Sequence, residues 1–336
     1  MIDYPAHLDA MWQKHLAPRE PNAPTVISTF AGAGGSSLGY SMAGYRELLA
    51  VEWDNNAIET FKLNFPGVPV YHGDIAKLSV DDCLGMAGIA PSELDVLDGS
   101  PPCQGFSTAG KRQMDDPRNQ LFREYVRLLR ELRPKVFVME NVSGMVKGKM
   151  KLVFVEILKE LKASGYRVSA KLLNAMYFHV PQSRERMIFI GVRDDLGVEP
   201  THPKAEGRPV TVREAIGDLA IDGPSANSYA SALARMPPGS SNSGFKYLSH
   251  TMGLSRLSWD AVCPTVVKQP WRLAYPEGSR FLSIQGAKRV ASFPDGFQIV
   301  GTYDTAWQRI GNSVPPLFME AIARHIRREI LDRAEA

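Results

Sequence analysis

A chain of 336 residues, 44% hydrophobic and 22% charged, has the proportions of an ordinary folded protein and excludes a disordered or fibrous one. Its length suits a large domain plus a smaller one, each able to bury a core. The formal net charge of +3 permits nucleic-acid binding without demanding it, so a partner has to be argued from local features.

No uninterrupted apolar run approaches the roughly 18 residues of a membrane span. Met1 to Glu20 mixes charged with apolar residues, unlike a secretory leader, so a cytoplasmic protein without membrane contact is expected. The three cysteines, Cys83, Cys103 and Cys263, are an odd number and far apart, which argues against a disulfide framework or a zinc cluster. The seven histidines show no paired ligand spacing, and no metal is expected.

In chain order, Thr25 to Phe30 reads as a strand running into the turn Ala31-Gly32-Ala33-Gly34-Gly35-Ser36-Ser37, with a helix from Leu38. Glu47 to Trp53 is a second apolar run closed by an acid. Asn55 to Asn64 reads as helix, and Val68 to His72 leads into Gly73-Asp74. The alternation continues through the strand Leu94 to Asp98, the helix Asn119 to Leu132, the strand Val136 to Met139, the helix Lys151 to Ser164 and the strand Met187 to Val192. Repeated β-α units imply an α/β fold with a parallel, doubly wound sheet. From about Asp194 to Gly278 the texture turns to Pro, Gly and Ser, which marks a second domain, and helix returns in Pro315 to Arg333.

A glycine turn between a first strand and its helix lets a ligand approach the backbone, and a helix N-terminus favours electronegative groups. The turn lacks the dinucleotide pattern G-x-G-x-x-G, so a purely structural turn stays open. Glu52 follows the second run at the spacing that places a carboxylate on ribose hydroxyls. Asp74, after the third run, suits an adenine amino group, and either acid could instead be a cap. The Phe30 ring could pack on adenine or be core. The segment Asp98-Gly99-Ser100-Pro101-Pro102-Cys103-Gln104-Gly105-Phe106-Ser107 leaves a strand at the carboxyl end of the sheet, where open α/β folds bind ligands. Two prolines stiffen the backbone before Cys103, as a positioned nucleophile requires. The next strand ends Met139-Glu140-Asn141-Val142, bringing a partly buried carboxylate with a proton to give beside the cysteine strand.

Pro102-Cys103-Gln104, Glu140-Asn141-Val142, Gln182-Ser183-Arg184-Glu185-Arg186 and Gly311-Asn312-Ser313-Val314-Pro315-Pro316 stand in one order along the chain. Together they resemble the DNA (cytosine-5) methyltransferase family of bacterial and phage type, over motifs spread from Phe30 to Pro316. The resemblance implies a Rossmann-like catalytic domain at 1–194 and 305–336 that binds S-adenosylmethionine and releases S-adenosylhomocysteine, with a target-recognition domain and hinge at 195–304. Cys103 would add to cytosine carbon 6, Glu140 would hydrogen-bond or protonate N3, and Asn141 would hold that arrangement. Arg184 would polarise the cytosine carbonyl and Arg186 would steady the loop near the cysteine.

The same resemblance assigns the donor pocket to Phe30, Ala31, Gly32, Gly34, Gly35, Leu38, Glu52, Trp53, Asp74, Ile75, Pro102, Leu121, Asn312, Ser313 and Val314. A closing loop over a flipped cytosine falls at Phe106 to Gln120, with Ser107, Lys111 and Arg112 toward DNA. In the recognition segment Arg256, Thr265, Lys268, Gln269, Trp271 and Arg272 are candidates, each also readable as part of a solvated face. The implied partners are double-stranded DNA and a separately encoded restriction endonuclease, with a monomer expected and nucleoid association when DNA is bound. Two departures stand out. Ser28-Thr29 replaces the usual acid before Phe30, which bears on how the cofactor turn is braced, and Gly286 stands where a Glu is customary. Three rivals compete: a tRNA methyltransferase, whose Cys-Phe-Thr tripeptide is absent; a silent binding protein, against which Cys103, Glu140 and Arg184 speak; and a small-molecule enzyme, which leaves the recognition segment without a role.

Overall fold

In the computed structural model the described residues are 3–102, 120–146, 150–241 and 253–334. After α1 (Tyr4–Leu16) comes β1 (Thr25–Thr29), whose five residues are all buried, the pattern of a strand covered on both faces. The chain continues through α2 (Gly35–Met42), β2 (Arg46–Glu52), α3 (Asn55–Asn64), β3 (Val70–His72), α4 (Val80–Ala87) and β4 (Val96–Gly99). Then follow α5 (Gln120–Leu132), β5 (Val136–Val142), α6 (Met150–Lys162), β6 (Tyr166–Asn174) and β7 (Glu185–Arg193). The seven strands form one sheet in the order β3-β2-β1-β4-β5-β7-β6. Strands β1 to β5 pair in parallel, and β7 runs antiparallel to both its neighbours. The fold is α/β and Rossmann-like, and the order reverses between β1 and β4, the switch point beside which such sheets bind ligands.

Successive strand residues face opposite sides of the sheet. Ile27 and Leu97 join Tyr125, Leu128 and Leu129 of α5 and Ile157 and Leu161 of α6 in one apolar cluster. Each such fully buried leucine contributes roughly 1.5–3 kcal/mol. Ser28 and Asp98 are cross-strand partners and turn to the other side, against α2.

Three features depart from the sequence expectations. The antiparallel β7 breaks an all-parallel sheet. The edge strand β6 was not foreseen, because Arg167, Ser169 and Lys171 interrupt its apolar run and most of it is only half-buried. Helix α2 begins at Gly35 rather than Leu38, since Gly34, left-handed at φ 94°, serves as its N-cap.

The described chain packs as two compact units. One comprises Ala17–Asn174, Glu185–Lys204 and Met319–Ala336 and holds the sheet, whereas the other comprises Met1–Leu16, Ala175–Arg184 and Ala205–Phe318. These changeovers differ from the 194 and 305 boundaries drawn from the sequence. The second unit contains α7 (Val212–Ile216), opened by a Thr211/Glu214 capping box, and α8 (Ala230–Arg235). The two-residue strands β8 (Ser255–Arg256) and β9 (Leu273–Ala274) pair in parallel, followed by α9 (Ile284–Val290) and α10 (Tyr303–Asn312). Its small core gathers Leu233, Met236, Leu254 and Phe281. Helix α11 (Pro316–Ile326) follows, and its continuation Arg327–Leu331 is a π-helical turn. Among the described residues no helix is long and apolar enough to cross a membrane.

Candidate active site

The glycine turn lies at the carboxyl end of β1. Phe30 has φ 55°, an uncommon conformation for an aromatic residue, and the next residue is fixed by an Ala31 N–H to Val51 carbonyl bond of 3.1 Å. Gly34 is required twice over: its φ is left-handed, and an added Cβ would lie 2.5 Å from Phe65 Cε2. At Gly32, φ 56°, an added Cβ would meet nothing within 4 Å, so this backbone faces open space. Leu38, three residues into α2, is fully buried.

Glu52 ends β2 and ties it to the turn. Its Oε2 accepts from Gly32 N at 2.8 Å, and its Oε1 accepts from Trp53 N at 2.8 Å and Asp54 N at 3.0 Å. A carboxylate has about four lone-pair sites, so three amides still leave one acceptor position. The Trp53 ring beside it is 78% exposed. Asp74 acts as a cap, its Oδ1 accepting from Ala76 N at 3.0 Å, and Ile75 is buried beneath it. Leu121, in the first turn of α5, packs against the apolar cluster. An open Gly32, an adjacent carboxylate, an exposed indole and a helix N-terminus fit an adenosine-bearing donor. Glu52 itself braces the turn.

At the next switch-point strand β4 ends in Gly99, where an added Cβ would lie 2.6 Å from Tyr125 Cε2. Pro101 is buried and its carbonyl accepts from Asn141 Nδ2 at 3.1 Å, while Pro102 is exposed. Cys103, Ser107, Lys111 and Arg112 lie outside the described residues. Strand β5 delivers Glu140 and Asn141, both buried. Asn141 Oδ1 accepts from Val142 N at 2.9 Å, so both ends of its amide are engaged. Glu140 Oε1 meets Arg186 Nε at 2.6 Å, with both side chains largely shielded from water. The antiparallel pairing explains the meeting, since Arg186 lies opposite Val142 at the end of β5.

In the other unit Arg184 is 3% exposed and donates to the carbonyls of Val266 at 2.9 Å and Gly311 at 3.1 Å. Thr265 Oγ1 donates to Ser183 O at 2.5 Å, and Gln182 Oε1 accepts from Val266 N at 2.9 Å. Gln182 to Arg184 is therefore a strut inside that unit. Arg256, a candidate for DNA, instead donates to the carbonyls of Pro276 (2.9 Å), Leu233 (2.7 Å) and Met236 (3.1 Å), and its guanidinium is committed to holding its own loops. Lys268 is exposed, and Arg272 is half-buried against Gly253. Asn312 is exposed at the end of α10, Ser313 Oγ donates to Arg309 O at 2.6 Å, and Val314 is buried.

Two acids, the buried Asp98 and the half-buried Glu47, face helix α2. Burial pushes the Asp98 carboxyl up to about 7, against the hydrogen bonds it accepts from Tyr40 and Ser36, and the Glu140 charge acts in the same direction as burial. Burial pushes Glu47 up to about 8, opposed by hydrogen bonds with Ser28 and Ser37 and reinforced by Asp98. The signal for Asp98 was a carboxylate inside the strand Val96-Leu97-Asp98-Gly99. Glu47 gave less warning, because a β-bulge between Val26 and Ile27 sets its register.

A family model for C-5 cytosine-specific DNA methylase matches residues 24–243 and 246–328. The chain is 35% identical over 326 residues to the Type II methyltransferase M1.HphI of Haemophilus parahaemolyticus, covering 90% of this chain and 86% of that protein. It is 32% identical over 372 residues to M.XorII of Xanthomonas oryzae, covering 93% and 86%. Among solved structures, one described as a DNA modification methyltransferase encoded within an E. coli prophage aligns with a TM-score of 0.76 at 25% identity, over 92% of this chain and all of that one. With the glycine turn, the buried Glu140-Asn141 pair and the sheet order in place, the chain belongs to the C-5 cytosine-specific DNA methylases, S-adenosylmethionine-dependent enzymes.

Proposed function

We propose that the chain methylates carbon 5 of a cytosine flipped out of a specific double-stranded DNA sequence, through a covalent Cys103 adduct at carbon 6. The observation that carries this reading is the Glu140-Arg186 contact of 2.6 Å, next to the Asn141 bond that fixes Pro101 two residues before Cys103. Bound S-adenosylmethionine supplies an electrophilic methyl group on a sulfonium sulfur. The Cys103 thiolate forms a bond to carbon 6, and the displaced electron density reaches carbon 5, the position that takes the methyl. Glu140 hydrogen-bonds or protonates N3, so that negative charge does not build up on the ring. Loss of the carbon 5 proton then breaks the sulfur–carbon bond and frees the thiolate. Extruding the base costs a few kcal/mol of stacking and pairing.

In this reading the two arginines take roles that differ from those the motif suggested. Arg186 polarises the cytosine carbonyl, a role supported by its ion pair with Glu140, whereas Arg184 braces Val266 and Gly311. Gly32, Glu52 and Trp53 hold the donor, with Asp74 able to meet an amino group through its second oxygen; the family motif assigns Asn312 and Val314 to donor binding as well. Ser107, Lys111, Arg112, Lys268 and Arg272 contact DNA, and Arg256 and Thr265 support the recognition segment from inside. The chain works as a monomer, and the Type II names of its relatives favour a separately encoded restriction endonuclease beside it.

The test is to incubate the chain and donor with duplexes covering every short sequence context, and to map carbon 5 methylation. Methylation in one context, abolished by Cys103→Ala, is expected. Absence of DNA methylation, or methylation by the alanine variant, defeats the proposal, and a parallel tRNA assay separates the RNA alternative.

A further inference from the structure

Helix α2 carries the donor turn at its N-terminus, yet it does not dock on the sheet through an apolar stripe. All eight residues Gly35–Met42 are buried, and three of them meet the sheet through hydroxyl groups. Ser37 Oγ donates to Glu47 Oε1 at 3.0 Å and lies within hydrogen-bond reach of Ser28 Oγ at 3.3 Å. Tyr40 Oη donates to Asp98 Oδ1 at 3.3 Å, and the Ser36 hydroxyl bonds the same carboxyl. Buried polar groups are costly when unpaired, so such a layer fixes one placement of the helix and disfavours sliding.

Asp98 is the point where this layer meets the cysteine strand. Its backbone carbonyl accepts from Thr29 Oγ1 at 2.9 Å, one residue before Phe30, and Cys103 is the fifth residue after it in sequence. Ser28, which stands where an acid is customary, is the direct cross-strand partner of Asp98. A carboxyl therefore reaches the face beneath the turn from the neighbouring strand. We propose that Asp98 is a positioning residue of the donor site, holding Ser36 and Tyr40 so that the glycine turn keeps a fixed relation to the strand that leads to Cys103. The proposal rests on the donor site described above. Besides Tyr40 and Ser36 of α2, the groups facing Asp98 are Glu47 of β2, Tyr125 of α5 and Glu140 of β5.

Calorimetric titration of the full chain with S-adenosylhomocysteine tests this role directly. Asp98→Leu and Tyr40→Phe are each expected to weaken binding at least five-fold. Asp98→Asn, which keeps an oxygen for Tyr40 and Ser36, should stay within two-fold of the unsubstituted chain. Because both changes break one link, the Tyr40→Phe/Asp98→Leu double variant should bind no more weakly than Asp98→Leu. In steady-state methylation the loss should fall on the KM for the donor, leaving the KM for DNA within two-fold. Tyr40→Phe removes a single oxygen and keeps the test readable if Asp98→Leu does not fold. Unchanged binding by Tyr40→Phe, an equal loss with Asp98→Asn, or additive losses in the double variant overturns the role. Failure of the unsubstituted chain to bind contradicts the donor site and the proposal with it, whereas binding without DNA methylation leaves the role of Asp98 standing and contradicts only the reaction proposed.

Discussion

Glu140 and Arg186 form a shielded ion pair whose partners come from antiparallel strands. Removing the cation strands a carboxylate in a poorly solvated place, which for buried pairs costs about 3–5 kcal/mol. Arg186→Ala is therefore expected to lower both the melting temperature and the turnover number. Glu140→Gln, which keeps the shape, should leave the melting temperature nearly unchanged and reduce turnover by roughly 10²–10⁴. Stopped-flow methylation and thermal melts of the two variants check this split, and equal melting losses would contradict it. The buried acids add a pH dependence. Asp98 and Glu47 have folded-state values raised to about 7 and about 8, so the folded form holds their protons more tightly than the unfolded chain does. Their contribution is fully present below about pH 4 and is lost as pH rises through 7 to 8. Denaturant unfolding should show stability falling across this window, and Asp98→Asn with Glu47→Gln should flatten the slope. A slope unchanged in the double variant would contradict the burial argument. Only part of this was legible in the sequence: Glu140 was found because an acid leaving an apolar strand is conspicuous, but which arginine it met depended on strand direction.

The glycine turn and α2 act as one element, and the turn tolerates no side chain at Gly34. Gly34→Ala should weaken donor binding at least ten-fold and lower the melting temperature, because the left-handed backbone costs roughly 1–2 kcal/mol for a non-glycine residue and the added methyl meets Phe65. Gly32→Ala meets no atom, so its deficit in calorimetry should exceed its deficit in stability. The strut from Gln182 to Arg184 makes a contrasting case. Arg184→Met leaves the carbonyls of Val266 and Gly311 without their donor, at about 1–3 kcal/mol each, and should drop the melting temperature by roughly 5 °C or more. Elements with a clear period were legible in the sequence: β1, α3, α5 and β5 follow from runs such as Phe122, Tyr125, Val126 and Leu129 on one helix face. The edge strand β6 was hidden by its half-solvated pattern, and β8 and β9 are too short, at two residues each, to carry any period.

At the scale of the molecule, a sheet built from one unit gathers the proposed donor and catalytic residues at neighbouring strand ends, while the other unit carries the irregular segment from Ala205 to the Gly311 motif. The sequence carries a change of texture near residue 194, within the Glu185–Lys204 stretch that packs with the sheet. Where the compact units exchange chain was not legible there, because it depends on packing of the first helix and of Ala175–Arg184 with later segments. The central claim is that Cys103 attacks cytosine in DNA. Its most direct test is to incubate the chain, S-adenosylmethionine and a duplex whose target cytosine carries fluorine at carbon 5, then analyse the products by denaturing gel and mass spectrometry. A covalent protein–DNA species mapped to Cys103, and absent from Cys103→Ser, is the result the account predicts. Free protein alone on a duplex shown to be methylated in its unfluorinated form, or a crosslink that survives Cys103→Ser, would contradict it.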